Sequence, residues 1–320
     1  MEKINVINSL NSVVSDIEKR VKSKFQSSEK TLTLKRLIEP SSHQAKSESP
    51  FNCIGISGFS TQGTNLVNTW KPLQDIFSNA DLYALEWEAG NSLQIGFALS
   101  TAIANRKLLS LLPASAKYSK VGQNRGANPL GIADRLVNNP IVDFGEKTLH
   151  KSWENLMSTW EGARENADKA GESLAKEIKF GSLSTKPLVL IGINLGTEVI
   201  FSALRSLGHD SHESKVVSVI FLGSTISCNK EMLSEALKTV SGEFFNVYST
   251  QDIFLKSLAL ASNKSFLGLH EITNFTGISN CNLEQANHFQ YASKMNDILL
   301  HQKIASAIYK QIIDLKRHSG

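Results

Sequence analysis

Residues 186–208 read KPLVLIGINLGTEVIFSALRSLG, and their order decides the fold. From Leu188 to Ile193 the run is continuously apolar, as a strand buried on both faces must be. GINLG follows, then an amphipathic helical pattern that stops at Gly208, a residue suited to a helix C-cap. A strand that turns at once into a helix brings two backbones close together, and Gly192 and Gly196 supply the room. The side chain between them, Asn194, is thereby held out at the tip of the turn. Such a turn reads as a nucleophile elbow of the pattern GxSxG, with asparagine in the serine's place. The competing reading is a phosphate-binding strand-to-helix turn of another doubly wound protein. The chain contains neither GxGxxG nor GxxxxGK[ST], which disfavours it.

To either side, short apolar runs at residues 51–57, 82–87, 216–222 and 244–248 alternate with helical patterns. That alternation predicts a mostly parallel sheet with helices on both faces. The strongest helical pattern precedes the elbow strand, where Trp153, Met157, Trp160, Ala163, Ala167, Ala170, Leu174 and Ile178 recur every three or four residues. Its tryptophans are expected in the core. A last helix carries Ile304, Ile308, Ile312 and Leu315 on one face, and the final strand is expected at about residues 272–278.

Ahead of these, Ile7, Leu10, Val14, Ile17 and Val21 mark an N-terminal amphipathic helix. It packs on its own domain or offers a face to a protein partner; it is too short for a coiled coil. Residues 27–50 are rich in Ser, Lys and Glu around one edge-strand pattern at 32–38. The chain therefore divides into an N-terminal helix with a polar linker, 1–50, and an α/β domain, 51–320.

Composition narrows the function classes. With 320 residues and 41% hydrophobic content the chain can bury one substantial core. Its 34 basic and 30 acidic residues are spread along the chain, which does not argue for nucleic acid. The cysteines, Cys53, Cys228 and Cys281, lack CxxC spacing, so a reducing, cytoplasmic setting is expected, with no zinc site and no cofactor. The first residues lack the basic and apolar regions of a signal peptide. The most apolar window, Ala89 to Asn105, is too short and too polar to span a bilayer, and the stretch from Leu93 to Leu112 reads at most as a peripheral membrane contact. His209, Asp210, His212 and Glu213 follow a helix cap in a polar loop and read as solvated rather than as metal ligands. His270-Glu271 lacks the second histidine of a zinc protease motif.

An elbow has a consequence that the sequence can fail: an acid and then a histidine must follow at strand ends. Asp252 comes directly after the run 244–248, in STQD, and His288 lies in NHFQY before the last helix. The segment after the preceding strand, GSTISCN, offers no competing carboxylate. An oxyanion hole would use the N–H of Leu195 and one from the early glycine loop GISGFST, at Gly58 and Phe59. This order of parts describes an α/β-hydrolase fold.

Taken together, ISGF, YALEWE, ADKAGESLAKEI, KPLVLIGINLGTEVIF, VIFLGS, NVYSTQD and NHFQY resemble the domain family of the transmembrane and coiled-coil domain proteins, an uncharacterised branch of α/β hydrolases. The resemblance runs from about Phe51 to Tyr291 and implies a Ser–Asp–His triad with lipase or esterase activity. Carried over by position, the triad is Asn194, Asp252 and His288, with Phe59 and Leu195 as oxyanion donors. Two departures stand out: asparagine replaces serine, and the family's hydrophobic stretch is here only the interrupted segment between Leu93 and Leu112.

A carboxamide cannot replace the serine hydroxyl, because its nitrogen lone pair is delocalised into the carbonyl. Asparagine does tolerate the positive φ of an elbow better than other non-glycine residues, so the fold can outlive the reaction. The sequence thus points first to a lipase- or esterase-like protein impaired in catalysis, binding an acyl or lipid-like ligand or a protein partner. The alternatives are an active hydrolase, with Asn194 engineered or acting unconventionally, and a membrane-surface module. Deamidation of Asn194 to a carboxylate nucleophile is disfavoured by the bulky Leu195 that follows.

Overall fold

In the computed structural model, residues 32–37, 49–58, 66–89, 143–208, 215–227, 229–284, 286, 288 and 290–319 are described. The N-terminal helix, Phe59, the stretch from Leu93 to Leu112, the run from His209 to Glu213 and Cys228 lie outside them, as do the side chains of Trp153 and Met157.

The apolar runs become strands β2 (Asn52–Ile56), β3 (Asp81–Trp87), β4 (Leu188–Ile193), β5 (Val216–Leu222) and β6 (Phe244–Tyr248). With β1 (Leu32–Arg36) and β7 (Ile278–Asn282) they form a sheet of order β1-β3-β2-β4-β5-β6-β7. Only β1 runs antiparallel, against β3; every other pair is parallel. Strands β2, β4, β5 and β6 are buried at every position, because helices cover both faces.

Period-two alternation sorts the strand side chains into two cores. Leu188 and Leu190 join Trp160, Ala163, Val199 and Leu233 on one face. Val189, Ile191 and Ile193 join Trp70, Leu73, Met295 and Ile308 on the other. The first core is covered by α3 (Asp143–Phe180), α4 (Gly196–Leu207), α5 (Lys230–Leu237) and α6 (Ile253–Ser262). The second is covered by α1 (Leu66–Trp70), α2 (Pro72–Ile76), α7 (Met295–His301) and α8 (Ile304–Ser319). A helix-covered parallel sheet with one antiparallel edge strand, and a strand-to-helix turn at its centre, is the α/β-hydrolase arrangement.

Of the predicted stripe on the long helix, Trp160, Ala163, Ala167, Ala170, Leu174 and Ile178 are buried. Small residues on it let α4 approach closely: a Cβ on Gly171 would stand 2.5 Å from Ser202 Cβ and 2.6 Å from the Val199 carbonyl oxygen. On α8, Ile304, Ile308 and Ile312 are buried, whereas Leu315 is 38% exposed.

Two boundaries differ from the sequence reading. The sheet takes in Leu32–Arg36, ahead of the expected domain start at Phe51, since β1 pairs along its whole length with Tyr83–Trp87 of β3. The final strand is displaced toward the C-terminus, to Ile278–Asn282. Asn274 and Gly277 take positive φ, 67° and 78°, which ends any extended run between them. The Asn280 side chain then holds the displaced segment, accepting from Ile272 N at 2.8 Å and donating to Ile272 O at 2.9 Å.

Strand order also fixes where loops meet. From β2 the chain moves outward to β3; from β4 it moves the other way to β5, β6 and β7. The switch falls between β2 and β4, and it is at such a point, beyond the carboxyl ends of the strands, that a crevice opens in open α/β sheets. The loop after β2 and the turn after β4 are therefore neighbours. At the opposite edge of the sheet, Asp81 pairs with Arg36 and, at 2.8 Å, with Lys186. Burial pushes its carboxyl up, but the two cations together outweigh burial and hold it below its usual value.

Candidate active site

Asn194 sits at φ 53°, in the left-handed region, and is 3% exposed. Its backbone is held on both sides. The N–H donates to Leu222 O at 3.0 Å, and the C=O accepts from Thr197 N at 3.0 Å and Thr197 Oγ1 at 2.6 Å. Thr197 Oγ1 also lies 3.1 Å from Ser224 Oγ, which ties the turn to the segment after β5. The Asn194 side chain is less well provided for: its Oδ1 is buried without a hydrogen-bond partner among the described residues.

The glycines around it are places of contact. A Cβ on Gly58 would come within 2.8 Å of both Asn194 Cβ and Leu195 N, and a Cβ on Gly196 would overlap the Ile56 carbonyl oxygen. At Gly192 a Cβ would lie 2.9 Å from both Ile200 Cδ1 and Thr197 N. Gly196→Ala is therefore expected to lower stability by about 2 kcal/mol or more, because the obstacle is backbone and cannot swing aside. A urea midpoint equal to that of the unaltered chain would remove the claim.

Two indoles fasten the loop that carries Gly58. Trp70 Nε1 donates to Ser57 Oγ and Trp87 Nε1 to Ser57 O, each at 2.8 Å. The first is admitted by Gly55, where any Cβ would run into the Trp70 ring. The backbone N–H of Leu195 faces this loop and makes no hydrogen bond among the described residues.

Asp252 and His288 are brought together directly. Asp252 follows β6 and caps α6, its Oδ1 accepting from Leu255 N at 3.0 Å. Its Oδ2 lies 2.9 Å from His288 Nδ1. A carboxylate can only accept, so the pairing puts a proton on Nδ1 and makes Nε2 the acceptor of the neutral imidazole. Asp252 is 0% and His288 5% exposed. The Phe254 ring stacks on the imidazole at 4.0 Å and 25°, so the ring is fixed in its plane by one contact and across it by another. Asn194, Asp252 and His288 follow β4, β6 and β7, which run parallel, and so belong to one edge of the sheet.

Two residues here, Tyr291 and Glu198, escaped the sequence reading. Tyr291 is fully buried against Gly223, and burial together with the Asp252 charge raises its phenol. Its hydroxyl has no partner among the described residues. Glu198, one turn into α4, is 5% exposed, and Arg164 Nε of α3 lies 3.3 Å from its Oε1. Burial pushes the Glu198 carboxyl up to about 7, against the pull of Arg164. The signal for Glu198 was present as a lone acid inside the apolar stretch GTEVIF.

His270 stands apart, with Nε2 3.5 Å from Ser265 Oγ, and burial lowers its pKa. Among the described residues no group of His, Cys, Asp and Glu is arranged to hold a metal, and no helix is long and apolar enough to cross a membrane.

Comparison with known proteins follows the same lines. The chain is 28% identical over 257 residues to the rice (Oryza sativa subsp. japonica) transmembrane and coiled-coil domain-containing protein STS1, covering 78% of this chain and 36% of that protein. It is 28% identical over 233 residues to the Saccharomyces cerevisiae protein named probable lipase MIL1, covering 70% of this chain and 20% of that one. The chain thus spans well under half the length of these curated relatives. Among solved structures, a CIB-like hydrolase from Thermoplasma acidophilum is 14% identical with a TM-score of 0.36, covering 85% of this chain and 89% of that one. The thioesterase YbtT of a yersiniabactin pathway is 9% identical with a TM-score of 0.39, covering 87% and 99%. Likeness at that level carries no argument, and the fold rests on the sheet described above. At residues 26–305 the chain matches, and so belongs to, the family described as protein of unknown function (DUF726).

Proposed function

We propose that this chain is a lipase- or esterase-like α/β-hydrolase domain whose nucleophile elbow is disarmed, so that it binds an acyl ligand without efficient turnover. The observation that carries this reading is the buried Asp252–His288 pair at the same sheet edge as a positive-φ strand-to-helix turn occupied by Asn194. The name of the yeast relative, probable lipase, agrees with the lipase-like part of this reading.

Each part has a distinct role. His288 is the base that would take a proton from a hydroxyl at the turn, and Asp252 orients and stabilises it. The Leu195 N–H, with a second donor from the loop at Gly58 and Phe59, would receive the acyl oxygen. Asn194 occupies the remaining position and supplies no oxygen nucleophile, which blocks formation of an acyl-enzyme. Polarisation of the carbonyl is retained; bond formation is lost.

A fluorophosphonate probe reads this directly, because it phosphonylates only an activated hydroxyl. The unaltered chain is expected to remain unlabelled at this turn, and Asn194→Ser to gain one adduct by intact mass, mapped to residue 194. An unlabelled Asn194→Ser chain that is folded by circular dichroism would overturn the assignment of the elbow.

A further inference from the structure

Asn194 does more than block a reaction. Its Oδ1 is a strong acceptor, it has no partner among the described residues, and the residue is only 3% exposed. A buried carbonyl oxygen left without a donor costs about 1–3 kcal/mol, roughly a 5- to 150-fold penalty on the state that leaves it so. Beside it the Leu195 N–H is a donor that also lacks a partner among the described residues. Besides the Asn194 NH2 group, the turn therefore offers an unsatisfied acceptor and, at the next residue, an unsatisfied backbone donor, where a serine elbow would offer a hydroxyl and a donor.

We infer that the ligand of this site is an acyl amide, a carbonyl compound bearing its own N–H, rather than an ester or thioester. This rests on the reading of the turn as an acyl site. The amide carbonyl accepts from Leu195 N–H, and the amide N–H donates to Asn194 Oδ1. An ester carbonyl can make the first bond, but its alkoxy oxygen has no hydrogen to give, so Asn194 Oδ1 stays unsatisfied. A thioester fails in the same way.

The sign of the discrimination is informative. An amide is costlier than an ester to remove from water, so an apolar site with no acceptor favours the ester. A site with a waiting acceptor reverses that order, because the amide alone satisfies it.

Octanamide and methyl octanoate, titrated calorimetrically into the full unaltered chain, provide the test. Octanamide is expected to bind about tenfold or more tightly than the ester, and Asn194→Ala to bring the two within about threefold or reverse them. Equal affinities in the unaltered chain, a preference for the ester, no binding of either, or a preference that survives in Asn194→Ala would each overturn the inference. The acyl-site reading is judged separately. An Asn194→Ser chain that gains the fluorophosphonate adduct while the unaltered chain ignores the amide leaves the elbow standing and removes only the amide. An amide preference with no adduct in Asn194→Ser removes the elbow instead.

Discussion

Asn194→Ser is expected to hydrolyse p-nitrophenyl butyrate about a thousandfold faster than the unaltered chain, and Asp252→Asn in that background to abolish the gain. The size follows from what each part contributes. In serine hydrolases, loss of the nucleophile costs about 10⁶ in turnover, while binding and the oxyanion hole retain about 10³ to 10⁴ over water. Restoring a hydroxyl to a turn whose surroundings have adapted to asparagine recovers part of that factor, hence the lower figure. Two elements of the proposed site support recovery: Asn194 already takes φ 53°, and the Asp252–His288 contact is 2.9 Å and buried. Serine tolerates left-handed backbone less well than asparagine, a cost of about 1 kcal/mol that removal of the unsatisfied Asn194 Oδ1 offsets. Asp252→Asn keeps the shape but turns a carboxylate acceptor of His288 Nδ1–H into an amide that can present N–H instead, which spoils the tautomer; the comparable change in a serine protease costs about 10⁴. A Ser variant no faster than the unaltered chain sinks the prediction, and a gain that survives His288→Ala shows that some other group is the base.

What could be read in advance, and what could not, divides by the range of the interaction. The fully apolar LVLIGI and the glycines on either side of Asn194 are local signals, because a strand buried on both faces and a turn too tight for a Cβ constrain the residues at those very positions. The place of Asp252 was legible for a related reason: it comes shortly after an apolar strand and caps the helix that follows. Contacts made across the sheet left no such trace. Nothing in WKPLQD announces that Trp70 will lie in the space left by Gly55 and hold Ser57, and nothing in NHFQY says that Tyr291 will fill the space over Gly223. The last strand was misplaced because residues 272–278 look extended by composition, whereas positive φ at Asn274 and Gly277 and the Asn280 side chain decide its position. Asn194 itself was visible from the outset. Only the structure adds that its carboxamide oxygen is buried and unsatisfied among the described residues, the observation from which we infer an acceptor role.

Glu198→Gln is expected to flatten the chain's loss of stability between pH 4.5 and 7. The unfolded carboxyl titrates near 4.5 and the folded one near 7, raised first by burial on the inner side of α4 and only partly offset by Arg164. Between those values the folded chain holds a proton that the unfolded chain has released. Stability therefore falls as pH rises, by about 3 kcal/mol across the window at about 1.4 kcal/mol per unit, and is level above it. The side chain is 6% exposed, so solvent screens little of this. Glutamine keeps an oxygen for Arg164 and cannot ionise, so the variant matches the unaltered chain at pH 4.5 and exceeds it above 7. Other groups shift the background without mimicking the difference. Asp168, raised by burial, adds a fall of the same sign, while His270, lowered by burial, works the opposite way, its contribution being lost as pH falls below its usual 6.5. Asp81, held low despite burial by Lys186 and Arg36, acts below the window. Urea denaturation of both chains at half-unit steps from pH 4.5 to 8 isolates Glu198 as the difference between two curves. Parallel curves would mean that Arg164 neutralises the cost of the buried charge, and that the helix carrying Asn194 at its head is indifferent to the proton on Glu198.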